Sequence, residues 1–252
     1  MLPRYAITKT EDCDYFVFPN DLIGNSILSK GGYQSFLVDI AKEVIRINPG
    51  ANVIDVGANI GAFTCPVAKA GGAHVYAFEP QAGIHLQLCA NIFLNRLSNV
   101  TIERCVLGSP DVQGEWIDFP QVALHRYVDL PMNSGAIGLG LRGAVGDVPE
   151  HIEYARRQVF TLDHFLIGNV GVVKIDVEGH EEFVLRGAAK TLANSQFPPI
   201  LFEAWGVPEA KIAKTSLFNY LQLLGYQYFT ALDADNFCAQ HPEHPYSLTF
   251  AC

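Results

Sequence analysis

A buried strand that runs into a glycine-bearing turn and then into a helix constrains this chain more than any other feature. Asn52–Val56 reads NVIDV, Gly57 and Gly61 follow, and Ala62–Ala70 is a helical stretch closed by Gly71-Gly72. A short apolar run bounded by turn residues is the pattern of a strand covered on both faces. The same rhythm continues with a strand over His74–Phe78, ending at Glu79-Pro80, a helix over Ile84–Leu97 and a strand over Val100–Leu107. Strands alternating with helices in this way predict βαβ units, a parallel sheet and right-handed crossovers. The rhythm resumes with strand Val170–Val177, helix Glu181–Ala193, strand Ile200–Ala204 and helix Lys214–Leu224. Tyr226–Ala231 and Tyr246–Ala251 alternate like two closing strands. The expected fold is α/β: a Rossmann-like, seven-stranded, mostly parallel sheet with helices on both faces and an antiparallel C-terminal edge hairpin.

Two regions fall outside that rhythm. Residues 1–50 form a lead-in, irregular over 1–31, with Pro3, Pro19 and the Gly31-Gly32 break. It ends in an amphipathic cap helix over Tyr33–Ile47, where Phe36, Leu37, Ile40, Val44 and Ile47 recur at helical spacing before Asn48-Pro49-Gly50. Residues 51–252 then make the main domain. Within it, residues 108–158 are rich in glycine and lack a sustained apolar period, apart from short strands expected at Trp116–Phe119 and Gln158–Leu162. An irregular stretch of that length inside a compact domain is commonly functional. It is read as an inserted substrate or lid loop, less ordered around Met132–Gly146 without ligand, with Asn133 and Ser134 as polar contacts.

Charge narrows the function classes. The formal net charge is −9, and no basic run exceeds Arg156-Arg157, so a nucleic-acid partner is not expected. No apolar stretch approaches the ~20 residues of a membrane span, and the first residues lack a basic-then-apolar signal pattern. The six cysteines show no CxxC spacing, which suits reduced thiols and a cytoplasmic location.

The glycine turn carries the first chemical signal. Asp55 closes the strand, Gly57 and Gly61 let the backbone turn tightly, and the following helix offers free N–H donors. Glu79 ends the next strand, where a carboxylate can accept both hydroxyls of a ribose. Dinucleotide binders use G-x-G-x-x-G around a pyrophosphate, which an aspartate would repel. Here the spacing is G-x-x-x-G with Asp55 in front, which suits a cationic amino group such as the one S-adenosylmethionine carries and NAD lacks. Cys105 and Val106, at the end of the third strand, are placed to flank the adenine.

The second signal is VVKIDVEGHE. Ligands of open parallel sheets bind beyond the carboxyl ends of strands at the point where strand order reverses. Asp176, Glu178 and His180 therefore converge on the mouth that holds the glycine turn, and Glu203 joins them from the next strand. Methyl transfer to a hydroxyl needs orientation and a base. His180 is the candidate base, because its ordinary pKa lies near neutrality, with Asp176 or Glu178 orienting it or the substrate. Glu178 and Glu181 also suit a first helical turn, where the helix dipole favours acids, and His180 suits a cap. Lys174, inside a doubly covered strand, requires an acidic partner. An Asp/Glu/His cluster of this kind also suits a divalent metal, but no ligand set is assigned.

These strings together, VIDVGANIGAFT, VYAFEP, LDHFL with VVKIDVEGHEEFVLRGA, and ILFEAW, resemble the FkbM family of methyltransferases over roughly residues 24–205. The resemblance implies a seven-stranded methyltransferase fold using S-adenosylmethionine. It implies O-methylation of a small-molecule acceptor, often a sugar or a hydroxyl in natural-product biosynthesis. It places the cofactor on Asp55, Gly57, Asn59, Gly61 and Glu79, and the reacting centre near Asp176, Glu178 and His180. Residues 108–158 and the tail after Trp205 carry no family string. Methylation of a peptide or protein nitrogen, and a non-catalytic cofactor-binding module, remain alternatives.

Overall fold

The computed structural model describes residues 5–123, 133, 152–204 and 211–250. The lead-in is more ordered than its sequence suggests. Strands β1 (Ala6–Lys9) and β2 (Asp14–Val17) form an antiparallel hairpin. Helix α1 (Leu22–Lys30) follows, started by the Asp21 carboxylate, which accepts from the Ile23 and Gly24 amides, and stopped by Gly31 in the left-handed region. The cap helix α2 covers Ser35–Ile47.

The main domain then runs β3 (Asn52–Val56), α3 (Thr64–Ala70), β4 (Val75–Phe78), α4 (Ala82–Leu94), β5 (Val100–Glu103), β6 (Val106–Leu107), β7 (Trp116–Val122) and β8 (Ile152–Phe160). It continues β9 (Val170–Ile175), α5 (Glu181–Arg186), α6 (Ala189–Asn194), β10 (Ile200–Glu203), α7 (Lys211–Leu223), β11 (Tyr228–Ala231) and β12 (Asn236–Gln240). The seven-stranded sheet has the order β11-β12-β10-β9-β3-β4-β5. Its strands are parallel from β10 to β5, and the β11–β12 hairpin is antiparallel. From β3 the chain winds outward through β4 and β5, then crosses to β9 and winds the other way. The crevice between β3 and β9 is the switch point.

Strand alternation fills both faces. Ile54, Val173 and Phe202 point into a core shared with Leu185, Leu192 and Leu221 of α5–α7. Val53, Val172 and Leu201 point the other way, onto Val38, Ala41 and Val44 of α2 and Val67 of α3. Each such side chain fully removed from water contributes about 1.5–3 kcal/mol.

Several expectations are corrected. The strand over Val100–Leu107 is two, because the chain leaves the main sheet after Glu103 and β6 pairs in parallel with β8 in a separate three-stranded sheet. The strands expected inside 108–158 are longer, with β7 and β8 in continuous antiparallel register from Trp116↔Gln158 to Val122↔Ile152. Pro120 is tolerated because β7 is an edge. The helix over Glu181–Ala193 breaks at Gly187, where a Cβ would meet the Gly108 carbonyl oxygen. The partner of Tyr228–Ala231 is Asn236–Gln240, and residues 246–250 form no strand. Asp233 decides this, since its carboxylate accepts from the Asp235 and Asn236 amides and makes the tight turn. Residues 132–146, expected to move, lie outside the described residues except Asn133. Among the described residues the cysteines are free thiols, and no helix is long and apolar enough to cross a membrane.

Candidate active site

Two hollows meet at the switch point. A polar chamber of about 190 Å³ lies under α1 and α2, and an apolar slot of about 60 Å³ runs beside β6. Gly57, Glu79, Asp176 and Glu178 wall both. The slot is completed by Phe78, Cys105, Val106, Leu107, Val177 and His180. The departure of β6 from the main sheet brings Cys105–Leu107 to it.

The floor is built around Gly57, at φ 80°, where a Cβ would collide with the Asp176 carbonyl oxygen. Gly57→Ala is therefore expected to cost about 1–3 kcal/mol from the left-handed backbone alone, before the clash is relieved. Urea unfolding measures this, and wild-type stability would contradict it. Asn59, also left-handed at φ 49°, donates its amide to Glu79 Oε2 at 3.1 Å. Glu79 Oε1 accepts the Gln81 amide at 2.8 Å. Burial pushes the Glu79 carboxyl up to about 7, against the pull of these two amides.

Asp55 and Gly61 line neither hollow. Asp55 is 0% exposed and walls neither hollow. Its Oδ2 accepts from Thr64 Oγ1 at 2.6 Å, and its Oδ1 makes no hydrogen bond but faces Lys174 Nζ at 3.3 Å. The Asp55 carboxylate is turned toward Lys174 beneath the turn. Lys174 thereby gains the acidic partners its burial requires, with Asp176 at 3.4 Å and the Gly57 carbonyl at 3.0 Å. Burial works against its charge, but Asp55 and Asp176 outweigh it and hold the ammonium well above its ordinary pKa. Gly61 is a packing glycine, its missing Cβ leaving room for Cys65 and Leu88.

Asp176, Glu178 and Glu203 converge on the chamber, with carboxylate oxygens within 4.8 Å of one another. Glu178 sits at φ 58°, a left-handed conformation rare for a side-chain-bearing residue and characteristic of functional turns. The turn is strapped by the buried Glu181, whose Oε1 accepts from the Val177 and Gly179 amides on either side of Glu178. The Glu181 carboxylate is thus bound to the turn, beyond any favourable placement at a helix start. Glu178 Oε2 is buried without a hydrogen-bond partner. Burial, then the Asp176 and Glu181 charges, push the Glu178 carboxyl up to about 8.

His180 is separated from this cluster. It walls the slot and not the chamber, its ring stacks on Phe183 at 4.6 Å, and burial lowers its pKa to about 4. Tyr33 and Gln34, which the sequence reading leaves unassigned, wall the chamber from the start of α2. Burial, then the Asp176 and Glu203 charges, push the Tyr33 hydroxyl up to about 12. The only cue to them in the sequence is the Gly31-Gly32 break just before.

The family described as the Methyltransferase FkbM domain matches residues 55–228. A Beauveria bassiana protein named Methyltransferase 1 is 26% identical over 170 residues, covering 62% of this chain and 65% of that protein. The 31-O-demethyl-FK506 methyltransferase FkbM of Streptomyces tacrolimicus is 28% identical over 160 residues, covering 57% of this chain and 61% of that protein. The match thus spans less than two thirds of either relative. Among solved structures, methyltransferase FkbM from Methylobacillus flagellatus superposes with a TM-score of 0.50 at 17% identity, over 76% of this chain and 44% of that one. That likeness shows a shared fold.

Proposed function

The chain belongs to the FkbM family of methyltransferases, whose methyl donor is S-adenosylmethionine, and from that premise we propose that it methylates a hydroxyl of a small molecule with Glu178 as general base. The observation that carries this reading is the buried, unpartnered Glu178 oxygen where the slot meets the chamber. The residues present fit the cofactor. Phe78, Cys105, Val106, Leu107 and His180 offer an apolar slot for adenine. Glu79 keeps lone pairs for the ribose hydroxyls, and the left-handed turn at Gly57 and Asn59 brings bare backbone to the junction. When bound, S-adenosylmethionine supplies a methyl group made electrophilic by its sulfonium.

The chain's own residues do the rest. Glu178 takes the acceptor's hydroxyl proton, and its raised pKa makes it a stronger base than an ordinary carboxylate while still ionised at mildly alkaline pH. Asp176, held by Lys174, and Tyr33 orient the acceptor, which supplies much of the rate by fixing the attack geometry. Base catalysis passes from His180 to Glu178, because a ring pressed into the slot with a pKa near 4 is a weak base facing the wrong hollow. Three converging carboxylates repel phosphate and offer acceptors for hydroxyl protons, which supports a hydroxyl-rich acceptor of the sugar or natural-product kind. The name of the Streptomyces relative favours oxygen as the receiving atom.

Incubation with S-adenosylmethionine and a panel of alcohols and amines, read as S-adenosylhomocysteine formed, tests the reaction. Turnover with amines alone would move the reading to nitrogen, and turnover with neither would contradict it. Binding carries its own pH signature. Below about 7 Glu79 is protonated and can no longer accept two ribose hydroxyls. Calorimetry is expected to show S-adenosylmethionine affinity falling as pH drops through 7, approaching about tenfold per pH unit, with no binding of NAD. Glu79→Ala should weaken binding and flatten the profile, and a flat wild-type profile would count against Glu79 as the ribose ligand.

A further inference from the structure

The cofactor pocket is built partly by a side chain that touches neither hollow. Arg157, on β8, is 8% exposed and has no carboxylate within ion-pair distance among the described residues. A guanidinium is not buried cheaply without a counter-ion, so its hydrogen bonds must all be specified. Nε donates to the Pro80 carbonyl at 2.5 Å, Nη1 to the Arg156 carbonyl at 2.8 Å and Nη2 to Gln121 Oε1 at 2.8 Å. Gln121 Oε1 also accepts the Ala82 amide at 3.3 Å, and Gln81 Oε1 accepts the Val122 amide at 3.4 Å. The far end of Gln121 donates to Glu153 Oε1 at 2.6 Å.

Each of these bonds either lies within the β7–β8 hairpin or joins it to the Glu79–Ala82 segment. Pro80 has no amide proton to anchor the turn itself, and its carbonyl is held from the hairpin by Arg157. We infer that Arg157 is a positioning residue for cofactor binding: with Gln121 it clamps the Glu79–Gln81 turn to the β7–β8 hairpin, making that hairpin a determinant of S-adenosylmethionine affinity. The inference rests on Glu79 holding the ribose, as proposed above. Arginine is the residue type such a clamp requires, because a planar fork reaches two acceptors at fixed angles and a lysine does not.

The test is the split between cofactor KM and kcat in Arg157→Lys, Gln121→Ala and Glu153→Ala. Arg157→Lys and Gln121→Ala are each expected to raise the S-adenosylmethionine KM about tenfold, the worth of a charge-assisted bond to a buried acceptor, with kcat at saturating cofactor within about twofold. Together they should cost little more than either alone, since both open one clamp. Glu153→Ala is an exposed change that leaves folding intact and loosens only the far end of Gln121, for an expected rise of about threefold. A merely structural role would lower the active fraction, and with it kcat, at unchanged KM. Additive effects, or unchanged KM in Gln121→Ala and Glu153→Ala, would overturn the inference. Glu79→Ala separates the two claims. If it keeps wild-type affinity, the ribose reading fails; if it loses affinity while the Arg157 and Gln121 variants do not, only the clamp fails.

Discussion

Replacing Glu178 with glutamine is expected to cut turnover by about 10²–10⁴-fold, the usual contribution of a positioned general base. S-adenosylmethionine affinity should stay within about threefold, as expected for an interaction made only in the transition state. Glutamine preserves size and polarity but cannot take a proton. The Glu178 carboxyl is pushed up to about 8 by burial and by the neighbouring Asp176 and Glu181 charges. A base must be deprotonated to work, so kcat/KM should rise with pH and level off above about 8. Because Glu178 titrates beside the Glu181 carboxyl, which burial also raises, the limb itself belongs to the pair. The assignment to Glu178 rests on the limb disappearing in Glu178→Gln. His180→Ala, by contrast, should raise the cofactor Kd and spare kcat, since that ring walls the slot proposed for adenine. Retention of more than about a tenth of the activity by Glu178→Gln, or an unshifted limb in that variant, would refute the base assignment.

How far the sequence leads depends on whether a feature is local. Asn52–Val56 is legible because a five-residue apolar run between Pro49-Gly50 and Gly57 admits one reading, and β3 has those bounds. The parallel order follows from the alternation of elements, and with it the crevice where Asp176, Glu178 and Gly57 meet. Asp55 is different. Which way its carboxylate points depends on the pairing of Asp55 with Lys174 across β3 and β9, a register that no local pattern states. The placing of His180 is non-local for a similar reason. The left-handed pair Glu178-Gly179 turns the chain between the strand and α5, so that Glu178 faces the chamber and His180 the slot. Tyr33 reaches the chamber only through the packing of α2 over the sheet. The closing hairpin is present, but alternation alone misplaces its second strand, because Tyr246–Ala251 alternates well while the turn chemistry of Asp233 and Asn236 selects β12.

Lys174→Met is expected to be the most destabilising single change in the site. Lys174 is buried between Asp55, 0% exposed, and Asp176. Removing the ammonium leaves Asp55 Oδ1, which has no hydrogen bond of its own, as an uncompensated charge in the core. Breaking a buried pair in this way costs about 3–5 kcal/mol, and for a domain of this size that lowers Tm by roughly 6–20 °C. The same substitution frees the Gly57 carbonyl, which now accepts from Nζ at 3.0 Å, so cofactor binding should weaken along with stability. The physical cause is separable from lost packing. In Lys174→Met/Asp55→Asn the orphaned charge is gone, and much of the lost stability should return although a second residue has been changed. Asp55→Asn alone should cost less, because Lys174 keeps Asp176. If the double variant is no more stable than Lys174→Met, the ion pair is not what holds the floor of the site, and the turn at Gly57 must be fixed by backbone contacts to β4 alone.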